Sequence, residues 1–113
     1  MKKISSYSFG SIKIDGTEYS SDVIIFPERV LHPWWRKEGH YLHMEDLEEV
    51  LSYKPEVLII GTGYSGVMRV PDEIVKKLQS MGISVVVQKT TEAVRSYNGL
   101  SSEKKVAALH LTC

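Results

Sequence analysis

Apolar and polar positions alternate early in the chain, where Ile12 and Ile14 flank Lys13. A second β-favouring run, Thr17 to Phe26, follows the pair Asp15-Gly16. Asp-Gly between such runs suits a two-residue turn, because both of its central positions need positive φ. Ser8 to Phe26 therefore reads as an antiparallel hairpin with one buried face. Phe26-Pro27-Glu28-Arg29 reads as a reversal into a short strand over Val30–His32.

From Met44 the period changes. Met44, Leu47, Val50 and Leu51 share one helical face, and Glu45, Asp46, Glu48 and Glu49 occupy the other, so the pattern predicts a helix to about Ser52. Pro55 ends that unit, and Glu56–Ile60 reads as a strand buried on both faces. A helix is expected from Pro71 to about Ser80 on the stripe Ile74, Val75, Leu78 and Met81, stopped by Gly82. Ser84–Gln88 reads as a second buried strand. A helix over Thr90–Leu100 follows, with Thr90 or Thr91 as N-cap and Asn98-Gly99 at its end. Lys105–Thr112 reads as the last strand.

The predicted order is β-β-β-α-β-α-β-α-β. That is the α/β class: a single compact domain, residues 1–113, with a central mixed β-sheet flanked by helices and an N-terminal antiparallel β-hairpin layer. Strand–helix–strand from Val57 to Gln88 predicts a parallel crossover.

Composition narrows the partners. Of 113 residues, 42% are hydrophobic and 25% charged, and fourteen basic residues balance fourteen acidic ones. Nucleic-acid binding needs a basic excess to displace counterions, so no nucleic-acid partner is expected. No apolar run reaches the roughly 18 residues of a spanning helix, so no membrane partner is expected either. A single cysteine, Cys113, cannot form an internal disulfide, as befits a reducing compartment. The start MKKISSYSFG has no apolar stretch behind its lysines, so neither a secretory signal nor a mitochondrial presequence is read there. The expected location is the cytoplasm.

Gly61, Gly63 and Gly66 have the G-x-G-x-x-G spacing of dinucleotide sites. In such sites the third glycine lies in the first turn of a helix, whose N–H groups face the pyrophosphate. Here Pro71 sets the helix onset well beyond Gly66, and the next strand ends Val87-Gln88-Lys89, without the acidic residue that would hold a ribose. No nucleotide or other cofactor is therefore expected. Two readings stay open: the glycines permit tight backbone geometry, or the loop Gly61, Thr62, Gly63, Tyr64, Ser65 and Gly66, with Arg69, holds a small ligand or anion.

Ser65 lies in GYSGV, one glycine short of a nucleophile elbow. His40 and His43 lie three apart without the further ligands that zinc requires, so no metal is expected. His110 and Cys113, three apart in a strand, fall on opposite faces. No acid, base and nucleophile assemble, which leaves the catalytic residues unknown and the balance against an enzyme. Trp34-Trp35-Arg36 is the chemically distinctive segment. Adjacent indoles cannot both enter one strand face, which leaves two readings open: both tryptophans plug the core from its rim, or one covers a loop, groove or partner. Arg36 can stack on an indole. Trp34, Trp35, Arg36 and His40 form the candidate interaction surface, for a protein partner or a second copy in a homodimer.

Taken together, PEVLIIGTGYSG…VP, TTEAVRSYNGL and AALHLTC resemble one small family. It contains the mitochondrial NADH dehydrogenase complex I assembly factor, the adipogenesis-associated protein, and uncharacterised archaeal and bacterial proteins. The resemblance is strongest from Pro55 onward and extends to Trp35-Arg36 and His40. It implies a compact α/β fold with a central mixed sheet, no known catalytic residues, and a binding or assembly role rather than catalysis.

Overall fold

A computed structural model describes residues 2–113. Two sheets form. β1 (Ile4–Ser8), β2 (Ser11–Ile14) and β3 (Thr17–Tyr19) make an antiparallel meander. β4 (Val23–Ile25), β5 (Val30–Leu31), β6 (Val57–Thr62), β7 (Ser84–Gln88) and β8 (Lys105–His110) make a mixed sheet in the order β5-β4-β8-β6-β7. β6 runs parallel to both β7 and β8, whereas β4 runs antiparallel to β8 and β5. The expected architecture, a central mixed sheet with an antiparallel N-terminal layer, is the one observed.

The Asp15-Gly16 turn has positive φ at both residues, 49° and 84°, as a tight hairpin demands. The hairpin differs from expectation at both ends. An unforeseen strand, β1, precedes it and turns at Gly10 (φ 78°). Its second arm breaks after Tyr19, so β3 stays in the meander while β4 crosses into the mixed sheet. β1 is held from afar: the Asn98 side chain accepts from the Ile4 N–H at 3.0 Å and donates to the Ile4 carbonyl at 2.8 Å. Asn98 thus acts as a peptide mimic for β1 rather than as a helix cap.

A 3-10 turn, Met44–Leu47, leads into α1 (Glu48–Tyr53), so the first helical segment is shorter and tighter than its pattern suggested. α2 (Asp72–Ser80) starts one residue after Pro71, which is its N-cap. α3 (Thr90–Gly99) takes Lys89 as N-cap in place of a threonine. The threonine hydroxyl is used elsewhere, as described below.

Both faces of the mixed sheet are covered, which is why β6 and β8 are apolar between their ends, over Leu58–Ile60 and Val106–Leu109. Leu58, Ile60, Val106 and Ala108 face α1, α2 and the buried Trp34 and Leu42. Ile59, Ala107 and Leu109 face α3 and the meander, through Ala93, Tyr97, Ile4, Ile12 and Ile14. The carboxyl ends of β6 and β8 are consequently the open rim where polar side chains gather.

Candidate functional site

That rim holds a buried polar cluster. His110 ends β8, and Asp22 lies one residue before β4, across the antiparallel pairing that sets Val23 opposite Leu109. Asp22 Oδ2 lies 2.8 Å from His110 Nδ1 and forms an ion pair with Arg36 Nη2 at 2.8 Å, while Asp22 Oδ1 accepts the Leu111 N–H at 2.7 Å. Arg36 also donates to the Gly39 carbonyl, from Nη2 at 2.9 Å and from Nε at 3.3 Å. Its guanidinium lies 4.6 Å from the Trp34 ring centroid. The cation–π contact expected of the Trp-Trp-Arg segment therefore forms with the first tryptophan.

Arg36 Nη2 also lies 3.0 Å from His110 Nδ1, so the tautomer decides that atom's role: a protonated Nδ1 donates to Asp22, and a bare Nδ1 accepts from Arg36. Two nitrogens remain buried without a hydrogen-bond partner among the described residues: Arg36 Nη1 and His110 Nε2. Both side chains are deeply buried, with 5% and 6% of their surface exposed. Burial pushes the Asp22 carboxyl up. The hydrogen bonds from His110 and the Leu111 N–H, and the charges of His110 and Arg36, outweigh it and hold the group below its ordinary value.

Asp46 fixes the irregular segment above this cluster. Its side chain accepts the N–H groups of Lys37 and His43, at 2.9 and 2.8 Å, and its carbonyl accepts Trp34 Nε1–H at 2.9 Å. Trp34 is thereby buried, whereas the next residue, Trp35, is 82% exposed. Ser21, Asp22, Pro33, Trp34, Trp35, Arg36 and Gly39 line a cleft of about 370 Å³, a size suited to small ligands or a partner side chain.

The glycine loop abuts the same cluster from the other side. A Cβ on Gly61 would stand 2.7 Å from Thr90 Oγ1 and 2.8 Å from Leu109. One on Gly63, whose φ is +110°, would overlap the Cys113 backbone and approach His110 Cδ2 to 2.8 Å. Thr90 Oγ1 accepts the Gly63 N–H at 2.8 Å and donates to the His110 carbonyl at 2.6 Å. The N–H groups of Tyr64, Gly66 and Val67 bond the carbonyls of Thr112, Gly63 and Cys113. Helix α2 begins six residues after Gly66, so the fingerprint's glycines and helix tip are apart, as Pro71 indicated.

Of the residues singled out in the sequence, Gly61, Thr62 and Gly63 are buried, and Tyr64, Ser65 and Arg69 are exposed. Thr62 bonds the Gln88 carbonyl at 3.2 Å. Tyr64 packs edge-on against the exposed Phe9, with ring centroids 6.0 Å apart. Arg69 links the two candidate regions through its backbone: its N–H bonds the His40 carbonyl at 2.9 Å, and its carbonyl accepts the Leu42 N–H at 3.0 Å. His40 lies over His110 with ring centroids 5.5 Å apart. His110 is thus where both candidate regions meet. Asp22, His110 and Asp46 carry roles that sequence reasoning did not assign. No local spacing marks Asp22, which meets His110 across 88 residues. Among the described residues, no group of three or more His, Cys, Asp or Glu is placed to hold a metal, and no helix is long and apolar enough to cross a membrane.

Residues 4–111 match the profile of a family described as "Protein of unknown function (DUF498/DUF598)". The chain is 34% identical over 111 residues to the NADH dehydrogenase [ubiquinone] 1 alpha subcomplex assembly factor 3 of Danio rerio, a match covering 96% of this chain and 62% of that one. It is 31% identical over 112 residues to the protein of that name in Xenopus tropicalis, covering 96% and 59%. The chain thus spans about three fifths of the length of these relatives. A solved conserved hypothetical protein from Pyrococcus horikoshii OT3 superimposes with a TM-score of 0.81 at 30% identity, covering 98% of this chain and 99% of that one.

Proposed function

The chain belongs to the DUF498/DUF598 family of proteins of unknown function, and from that premise we propose that it is a cytoplasmic, non-catalytic protein-binding module with an assembly-factor-like role. The observation that carries this reading is the display of Trp35. Trp35 is 82% exposed, yet the side chains on either side are buried and tied down, Trp34 by Asp46 and Arg36 by Asp22. An aromatic anchor on a rigid base loses little conformational freedom on docking, which is what a binding hot spot requires.

On this reading Trp34 and Arg36 set the anchor, His40 and the cleft beside it form the rim, and Tyr64 with the loop Gly61–Gly66 continues the surface. The partner is a protein offering an apolar pocket for the indole. Two relatives are named as assembly factors of an NADH dehydrogenase subcomplex, which supports the assembly class for this chain while leaving the client's identity open. Replacing Trp35 with Ala and comparing proteins captured from lysate tests the proposal. The folded variant should lose the captured set, while Lys76→Ala on α2 keeps it. Equal capture by the Trp35 variant rejects the surface.

A second reading rests on a different observation, the unpartnered Nη1 of Arg36, a residue that lines the 370 Å³ cleft. An anion or a carbonyl-bearing small molecule would accept from this buried donor, which otherwise carries a desolvation cost. In the neighbouring loop, Thr62, Tyr64, Ser65 and Arg69 offer side chains, because the N–H groups of Gly63, Tyr64, Gly66 and Val67 already bond the chain itself. A thermal-shift screen with metabolites and anions separates the readings. A ligand of the folded state raises the melting temperature, and that rise disappears in Arg36→Lys.

A further inference from the structure

The two edges of the mixed sheet are built differently. β5, at one edge, is two residues long and lies between Pro27 and Pro33. Short strands and nearby prolines are the usual defence of an edge against pairing with another chain. β7, at the other edge, reads Ser-Val-Val-Val-Gln over five residues, with no charge, proline or bulge.

The hydrogen-bonding direction of β7 follows from its pairing with β6. The Ser84 N–H bonds the Glu56 carbonyl at 2.9 Å, so Ser84, Val86 and Gln88 direct their backbone groups inward. Val85 and Val87 therefore direct theirs outward, and among the described residues no strand pairs with them on that side. Val87 is also 41% exposed, although it continues the face on which Val85 packs against the core.

We propose that two copies of this chain pair antiparallel through β7, about a two-fold axis at Val86, joining two five-stranded sheets into one of ten strands. The register follows from the outward groups. With Val86 opposite itself, Val85 of each copy faces the partner's Val87, and the N–H and C=O of both residues are bonded. These are the hydrogen-bonded pairs of an antiparallel ladder, with Val86 at the non-hydrogen-bonded centre. The same pairing sets each exposed Val87 beside a partner valine, a favourable cross-strand contact. A two-fold contact needs only one surface, used twice, and the blunted β5 edge stops further growth, so the assembly closes as a dimer. An extended peptide from another protein would meet the same backbone groups without this self-complementarity. The dimer is independent of the role given to Trp35, which lies outside β7.

Sedimentation velocity on the full chain, from micromolar to millimolar concentration, gives the test. A concentration-dependent dimer is expected, and Val87→Lys, which puts an ammonium beside the axis, should raise its dissociation constant by roughly tenfold or more. Val86→Cys in a Cys113→Ser background should cross-link as a dimer on mild oxidation, since centre pairs lie about 4.5 Å apart between Cα atoms. The cross-link decides the matter if the lysine variant fails to fold. A wild-type chain that stays monomeric at millimolar concentration overturns the proposal. So does a dimer that neither weakens in Val87→Lys nor cross-links through residue 86.

Discussion

The two ends of β8 each bury a cation, and they do so by different means. At the carboxyl end Arg36 faces the Asp22 carboxylate, with His110 completing the cluster. At the amino end Lys105 has no carboxylate partner among the described residues. Its ammonium donates to the Tyr97 and Leu100 carbonyls, where α3 runs out, and sits 4.1 Å from the Tyr97 ring centroid. The first cation is balanced by a full charge, the second by the negative end of a helix and a ring face. A charge pair depends on both members being present. Dipoles tolerate the loss of the ion much better.

Asp22→Ala should show the largest effect, a loss of about 3–5 kcal/mol in urea unfolding, because it strands a buried guanidinium. Lys105→Met should cost less than about 2 kcal/mol, since the charge leaves together with its desolvation and only carbonyl partners are lost. Equal losses would erase the distinction between the ends.

Glycines sharpen it next. At the carboxyl end, Gly63→Ala combines positive φ with overlap on the Cys113 backbone, and should cost about 2–4 kcal/mol by the same measurement. At the amino end, Gly82 also has positive φ, 83°, but nothing lies within 4 Å of its added Cβ. Gly82→Ala should cost only about 1 kcal/mol. A tyrosine stands at each end as well. The Tyr7 hydroxyl donates to the Leu111 carbonyl at 2.8 Å, so Tyr7→Phe should lose about 1 kcal/mol. The Tyr97 hydroxyl is buried without a partner among the described residues, so Tyr97→Phe should leave stability unchanged or slightly raised. Differential scanning calorimetry on the pair reads the sign.

The smallest effect is the pH profile of unfolding. Asp22 titrates lower folded than unfolded, so its contribution is full above about pH 4 and fades as pH falls through the lower folded value. Burial lowers Lys105, so the unfolded chain binds the extra proton just below the ordinary lysine value, and stability rises with pH through that window. Burial, helped by the Asp15 charge, pushes Tyr97 up to about 12. The unfolded chain then ionises first, and stability falls as pH climbs above about 10. Lys105→Met should remove the alkaline rise and keep the fall.

Much of the frame was legible along the chain. The Asp15-Gly16 turn, the apolar β6 and β8 and the late onset of α2 after Pro71 each follow from local chemistry. β1 was not legible, because Ile4–Ser8 carries little hydrophobic signal and is pinned by Asn98 on α3. Nor was the use of Asp22 and His110, whose neighbours in sequence say nothing about each other.

Turn geometry, strand burial and helix onset are short-range properties, set by φ preferences and by which faces must leave water, so the order of residues was enough to determine them. Which buried charge meets which partner depends on strand order and register across most of the chain. That is why only the tertiary structure could decide that His110 closes on Asp22, that Gly63 makes room for the Cys113 backbone, and that β7 is left with an open edge.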